Sequence, residues 1–129
     1  MDQTQDRALG MLGLARKAGK LQTGEETVSA MLAEKHARLT VLSNDAGEAV
    51  VRKVRGLAEG TRQRVLTVPY GKLTLGAALG RQIVSVAAFA DVSMALAFVK
   101  ALPAGSVPAE ITEDLERRVA RVKAKRKKN

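Results

Sequence analysis

Cysteine and tryptophan are missing from this 129-residue chain, and its aromatic residues are one tyrosine and two phenylalanines. Without cysteine there is no disulfide framework, no thiolate metal site and no cysteine nucleophile. Three aromatic residues do not supply the rows of rings on which single-stranded bases stack, so such a platform is not expected. The core must therefore be built mainly from aliphatic side chains.

Long apolar runs are absent too. No run approaches the 18 residues that a membrane helix needs, and the first ten residues, MDQTQDRALG, lack the apolar centre of a signal peptide. We therefore expect a cytoplasmic protein with no membrane partner. The length predicts a single domain that buries about two-thirds of the surface of the unfolded chain.

Motifs of catalysis and metal binding are also missing. His36 is the one histidine of the chain, and no serine occupies a nucleophile-elbow pattern. No group of histidines and carboxylates has the spacing of metal ligands. Gly71, Gly76 and Gly80 form neither a phosphate-binding loop nor a dinucleotide fingerprint, and close packing of a short helix explains the last two. We expect no enzymatic activity, no metal and no cofactor.

Positive charge, in contrast, is abundant and uneven. The net charge is +9, and residues 117–129 hold eight bases and no acid, whereas residues 105–116 hold four acids and no base. Such a distribution favours a polyanionic partner, for which we expect RNA. The proline, glycine and serine that follow residue 103 predict a boundary. A folded domain would span residues 1–103, and residues 104–129 would be a linker and a basic tail, partly helical or disordered.

Helix and strand patterns alternate over most of the chain, after residues 1–6, which we expect to be frayed. Apolar periodicity and turn residues predict helices near residues 7–18, 24–35, 46–59, 73–79 and 92–102, and strands near residues 20–22, 39–42, 65–68 and 83–88. This alternation predicts an α/β sandwich with helices on both faces of a small sheet. A further polar helix is predicted within residues 110–128.

One turn, Thr23-Gly24-Glu25-Glu26, carries the strongest functional signal. Thr23 followed three residues later by Glu26 matches a capping box at the start of a helix. A helix start presents unpaired N–H groups and a partial positive charge, and a glycine there lets a ligand approach the backbone closely. Two interpretations stay open, a purely structural helix cap and a ligand site.

A second loop, near residues 80–84, combines apolar and basic side chains. With the Gly24 turn it predicts a site that recognises folded RNA by shape, backbone amides and a few base edges. The candidate RNA-binding residues are Lys20, Thr23, Gly24, Glu25, Glu26, Thr27, Arg81, Gln82, Ile83 and Val84. Weaker candidates, for which a solvated basic face is the alternative, are Arg16, Lys17, Arg52, Arg55 and Arg126.

Four segments, in order, carry a family resemblance: LGLARKAGKLQTGEETV, LTVLSNDAGE, the glycine-containing segment at residues 75–80 and the strand at residues 84–87. Over residues 9–102 they resemble the ribosomal protein L7Ae/L30e superfamily of kink-turn RNA-binding proteins, in particular its small bacterial members. The resemblance implies a three-layer α/β/α sandwich around a small, mixed, four-stranded sheet. It also implies that the helix start and the late loop grip a sharply bent RNA beside sheared G·A pairs, without catalysis.

The sequence departs from the family motif at three positions of this helix. Gly24 matches, but Glu26, Thr27 and Ala30 stand where the family has Asn or Lys, Glu or Gln, and Lys. Phosphate contacts usually supply most of the affinity for nucleic acid, and Ala30 offers no charge to a phosphate. The departures leave two alternatives, weak kink-turn binding or binding of another RNA.

The leading hypothesis is therefore a non-catalytic, monomeric RNA-binding protein of the ribosome or of another ribonucleoprotein. One alternative is a protein-interaction or scaffold module of the same fold, with unspecific RNA affinity from the basic tail. Another is the accessory recognition domain of an RNA-modifying enzyme.

Overall fold

The computed structural model describes residues 6–128, so residues 1–5 of the predicted frayed end lie outside the described residues. The elements alternate as predicted. In chain order they are α1 (Arg7–Lys17), β1 (Leu21–Thr23), α2 (Glu25–Ala33), β2 (Leu39–Leu42), α3 (Glu48–Ala58), β3 (Arg64–Thr67), α4 (Lys72–Ala78), β4 (Val86–Phe89), α5 (Val92–Ala101) and α6 (Ala109–Lys128).

The four strands form one mixed sheet with the order β1-β4-β2-β3. β2 and β3 run parallel, whereas β4 lies antiparallel to both β1 and β2. Leu42 of β2 pairs with Val86 at the start of β4, and Leu39 pairs with Phe89 at its end. The segments that follow β1 and β2 and the segment that precedes β4 therefore share one end of the sheet.

Helices cover both faces of this sheet, because successive strand side chains point to opposite sides. Val41, Ala87 and Phe89 belong to one apolar cluster, to which α1, α4, α5 and α6 also contribute. Leu42 and Val86 belong to the other, with residues of α2 and α3. The arrangement confirms the predicted three-layer α/β/α sandwich with a small, mixed, four-stranded sheet.

The last helix packs onto the same core as the rest of the chain. Ile111 and Leu115 are 6% and 0% exposed, and both belong to the cluster beneath α1 and α5. On β3, Arg64 places its Nε 3.1 Å from Oδ2 of Asp114. Ile111, Leu115 and the buried Val119 recur every fourth residue, so they form one apolar stripe on α6. The first half of α6 thus packs against the domain that the sequence predicted to end at residue 103.

An aspartate and the single tyrosine join α1 to the segment before α4. Asp6 caps α1 by accepting a hydrogen bond from the Leu9 N–H at 3.1 Å. The Tyr70 hydroxyl donates to the same carboxylate, at 3.0 Å from Oδ2. Burial, together with the hydrogen bond to Asp6 and its charge, raises the pKa of Tyr70 to about 12. The contact fixes α1 beside the chain that leads into α4.

Candidate nucleic-acid interface

The turn at Gly24 carries the chain directly from β1 into α2. Its N–H donates to the Val86 carbonyl at 3.1 Å, which ties the turn to the start of β4. The Gly24 backbone has φ +100° and ψ 148°, a conformation that residues with a Cβ rarely adopt. Nothing lies within 4 Å of a Cβ built at this position. Backbone conformation, and not crowding, therefore requires glycine here.

The helix cap differs from the sequence prediction. Thr23 was predicted to cap α2, but it is the last residue of β1 and pairs with Ala87. Gly24 occupies the N-cap position, and no side chain caps the helix. The capping box of Thr23 and Glu26 is therefore not formed, because strand pairing holds Thr23 in the sheet. The first backbone N–H groups of α2 therefore have no capping side chain. They lie at the positive end of the helix dipole, where an acceptor from outside the helix can bind them.

The late loop is built on α4. Arg81 donates its N–H to the Gly76 carbonyl at 2.8 Å, and Val84 donates to the Lys72 carbonyl at 3.0 Å. A Cβ at Gly76 would lie 2.5 Å from the Gln82 carbonyl oxygen, so only glycine lets the loop pack this closely on the helix. The glycine that sequence analysis assigned to close packing of a short helix thus positions the loop itself.

The Gly24 turn and the late loop meet in one groove of about 290 Å³. The sheet brings them together, because β1 ends where β4 begins. The lining residues are Thr23, Gly24, Glu25, Val50, Arg81, Ile83, Val84, Ser85 and Val86. Ile83 is 54% exposed, whereas Val84 is 3% exposed. Val84 therefore anchors the loop in the core, while Ile83 exposes its apolar side chain at the groove.

Other candidates lie at varying distances from this groove. Glu26 and Thr27 are exposed on the first turn of α2, beside the groove but not lining it, and Gln82 is exposed on the late loop. Lys20 precedes β1 and accepts from the Ala90 N–H, so it lies at the opposite end of the sheet. The structure thus separates Lys20 from the other strong candidates.

The weaker candidates divide in the same way. Lys17 is exposed at the end of α1, where Arg16 places Nη1 3.8 Å from a Cβ built at Gly80, beside the late loop. Arg52 and Arg55 line a different groove, along β3. Arg126 is exposed near the end of α6. Of the weaker set, Arg16 lies against the late loop, whereas Arg52 and Arg55 face elsewhere.

α3 contributes to the groove, which the sequence analysis missed. Val50 lines it, and Lys53 places Nζ 3.5 Å from Oε2 of Glu25. Lys53 was not among the residues that the sequence singled out. Val50 and Lys53 lie one turn apart on the same side of α3. That spacing was visible in the sequence, but nothing local showed that this side faces the start of α2. Lys53 therefore partly offsets the negative charge of Glu25 at the groove.

Within residues 6–128, no group of three or more histidines and carboxylates is placed to hold a metal ion. Over the same range, none of the helices has both the length and the apolar character that crossing a membrane requires.

The protein is a small α/β/α sandwich in which an uncapped helix start lies beside the Arg81 cation and the exposed apolar side chain of Ile83. The chain belongs to the ribosomal protein L7Ae/L30e/S12e/Gadd45 family, whose model matches residues 6–98. The expected family and fold are thereby confirmed.

Individual relatives agree with this assignment. The RNA-binding protein YlxQ of Enterococcus faecium is 41% identical over 49 residues, which are 38% of this chain and 48% of the relative. The match thus spans about half of that relative's length. A Bacillus halodurans protein of unknown function superimposes with a TM-score of 0.69 at 28% identity, covering 75% of this chain and 97% of its own. The Giardia lamblia 15.5kD RNA binding protein shares the fold, with a TM-score of 0.62 at 16% identity. The superposition covers 91% of this chain and 92% of the Giardia lamblia chain.

Proposed function

We propose that this protein binds structured RNA, without catalysis, through the groove between the start of α2 and the late loop. The observation that carries the proposal is the meeting of Gly24, Arg81 and Ile83 in one groove. The Enterococcus faecium relative is named as an RNA-binding protein, and this supports the same ligand class here.

Each part of the groove suits a different part of an RNA. The free N–H groups at the start of α2 donate to phosphate or base oxygens. The Arg81 guanidinium presents a planar fork that matches a phosphate or the edge of a guanine. Ile83 supplies apolar contact to a base turned out of its helix. Glu25 and Glu26 accept from guanine N–H groups, and Lys53 offsets the charge of Glu25 at 3.5 Å.

We infer further that the ligand is a kink-turn or a similarly bent RNA in the ribosome or another ribonucleoprotein, bound by a cytoplasmic monomer. A sharp bend would let two backbone segments enter one groove, one at the Gly24 turn and one at the late loop. Ala30 is exposed on α2 and supplies no charge. Affinity would accordingly depend more on Arg81, Arg16 and Lys53 than on the face of α2.

Fluorescence anisotropy with a labelled kink-turn RNA tests this proposal. The native RNA should bind at least about tenfold more tightly than one whose G·A pairs are replaced by Watson–Crick pairs, since each altered base pair typically costs about 1–3 kcal/mol. Equal binding to the two RNAs would reject kink-turn specificity.

A pair of variants tests the groove itself. Arg81→Gln should weaken binding about fivefold and reduce the salt slope by about 0.7 to 0.9, as expected for one lost phosphate contact. Arg7→Gln is the control, because Arg7 is exposed at the start of α1 and does not line the groove. If the two variants bind alike, the groove is not the RNA site.

A further inference from the structure

A second, strongly basic groove lies on the molecule, with a volume of about 690 Å³. The segment between α2 and β2, the turn between α3 and β3, and the second half of α6 form its walls. None of its lining residues is acidic, and six are basic: Lys35, Arg38, Arg62, Arg118, Arg121 and Lys125. The tail and the body contribute to it jointly, so it forms only when α6 is docked.

The basic groove lies at the opposite end of the sheet from the Gly24 turn. Arg38 immediately precedes β2, which runs from Leu39 to Leu42. Leu42 pairs with Val86, the residue that accepts the Gly24 N–H. The three residue steps from Leu39 to Leu42 cover about 10 Å, so Arg38 and the Gly24 turn lie at opposite ends of the strand. The basic groove and the groove at the Gly24 turn share no lining residue, so they are two separate surfaces.

A buried amide holds the floor of the basic groove. Gln63 is 8% exposed, and its Oε1 accepts from the Ala37 N–H at 3.0 Å. Its Nε2 donates to the Leu32 carbonyl, also at 3.0 Å. These bonds join the segment after α2 to the turn before β3, which carry Arg38 and Arg62. The relative position of these two arginines is therefore set by a buried, fully bonded side chain.

Arg118 forms the wall on α6. Its side chain is 14% exposed, and its Nε lies 3.1 Å from Oδ2 of Asp114. Its guanidinium also donates to the Arg62 carbonyl. Asp114 in turn pairs with Arg64 and Arg117, at 3.1 Å and 3.5 Å. This ion-pair network docks α6 and engages the Asp114 carboxylate with three arginines.

The other bases of the basic groove keep their charge unbalanced. Within residues 6–128, none of the ion pairs involves Lys35, Arg38, Arg62, Arg121 or Lys125. Lys35 has φ 61°, and of the residues described it is the one non-glycine with a positive φ. A glycine is usual at this position after a helix, yet the chain places a lysine at the groove.

We propose that the basic groove is a second RNA-binding site, one that holds a phosphodiester backbone, so that the protein engages two RNA segments at opposite ends of its sheet. The inference extends the proposed function to a separate surface. A guanidinium group can bind two phosphate oxygens through two parallel hydrogen bonds, and four of the six bases in the groove are arginines. Arg121 and Lys125 lie one turn apart, about 6 Å along α6, a spacing that lets both contact neighbouring phosphates of one strand. Among the residues whose burial is described, the exposed large apolar ones are Leu14, Leu73 and Ile83. All three lie outside this groove, which argues against insertion into a lipid surface.

Two double variants of α6 separate this site from general tail charge. Arg121→Gln with Lys125→Gln removes two charges from the basic groove. Lys123→Gln with Lys127→Gln removes two charges from the opposite side of the helix, since Lys123 and Lys127 project about 140° and 180° away from Arg118. All four side chains are exposed, so both double variants should keep the thermal stability of the parent chain.

The probe is a labelled twelve-nucleotide oligouridine, which lacks the bend required at the Gly24 turn. The groove variant should bind it about tenfold more weakly, with a salt slope reduced by about 1.4, whereas the control variant should change less than about twofold. Arg81→Gln should leave oligouridine binding unchanged while weakening kink-turn RNA, so failure of one site is distinguishable from failure of the other.

Equal loss in the two double variants would overturn the proposal, because it would assign the affinity to unspecific tail charge. No loss in either variant would overturn it as well. Phosphatidylglycerol vesicles and an oligoglutamate peptide serve as competing polyanions. If either binds more tightly than oligouridine, and only the groove variant loses that binding, the groove belongs to a different partner.

Discussion

Replacing Gly76 by alanine tests how the late loop is held. A Cβ at this position would lie 2.5 Å from the Gln82 carbonyl oxygen and 2.7 Å from that of Arg81. Ordinary contacts between such atoms are near 3.5 Å, so the loop would have to move by about 1 Å. The atoms in the way are backbone, which does not yield by rotating a side chain.

The energetic consequence combines three effects. Overpacking typically costs about 1–3 kcal/mol, and weakening the bond from the Arg81 N–H to Gly76 adds about 1 kcal/mol. The higher helix propensity of alanine over glycine offsets these costs by about 1 kcal/mol. We therefore expect Gly76→Ala to lower the free energy of unfolding by about 1–3 kcal/mol. For a chain of this size that corresponds to a fall in Tm of roughly 3–5 °C per kcal/mol.

Gly56→Ala is the matched control, because Gly56 is helical and exposed on α3 and nothing lies within 4 Å of a Cβ there. It should raise stability by about 0.5–1 kcal/mol. Thermal unfolding followed by circular dichroism measures both variants, and anisotropy with kink-turn RNA should show weaker binding for Gly76→Ala alone. If Gly76→Ala is as stable as Gly56→Ala, the late loop is not packed on α4 as described.

Three further predictions concern the turn, the last helix and the tyrosine. Gly24→Ala should lower the free energy of unfolding, measured in urea, by about 1–3 kcal/mol, because Gly24 has a φ of +100°. Gly47→Ala is the control, because Gly47 also lies at a helix start but has a φ of −63°, and it should cost under about 1 kcal/mol. Equal costs would exclude backbone strain as the cause. Leu115→Ala should cost about 2–5 kcal/mol, because its side chain is fully buried, and a cost below about 0.5 kcal/mol would show that α6 is not part of the core. The pKa of Tyr70 is raised from 10.0 to about 12, so its stabilising effect is complete below pH 10 and disappears as the pH rises through the folded pKa. Ultraviolet titration of the single tyrosine should give a lower pKa in Asp6→Asn than in the parent chain, and an unchanged pKa would mean that burial alone raises it.

The local sequence pattern predicted which helices and strands form, but it did not predict all of their boundaries. β2 spans residues 39–42 as predicted, since a short apolar run between turns leaves little alternative. The predicted strand at residues 83–88 begins later, at Val86, because Val84 bonds to Lys72 and stays with the late loop. Thr23 satisfied the capping pattern, yet pairing with Ala87 keeps it in the sheet. In both cases a partner distant in sequence decided the outcome.

The candidate site was predictable in part. Gly24 and the segment at residues 81–84 were each identifiable from turn chemistry and family resemblance, and the structure brings them into one groove. The contribution of Lys53 was not identifiable, because an exposed lysine on an amphipathic helix has the same pattern whatever it faces. The basic groove was hidden for the same reason, since its bases come from segments far apart in the chain.

By itself, the sequence determined which elements form and that helices cover both faces of a sheet. It also determined the family, because periodicity, turn residues and ordered motifs are properties of neighbouring residues. Only the tertiary structure decided which ends of those elements meet. The strand order β1-β4-β2-β3 places the Gly24 turn beside the late loop. At the other end of the sheet, bases meet from the segment after α2, the turn after α3, and α6. Such pairings depend on contacts between distant segments, which no local pattern encodes.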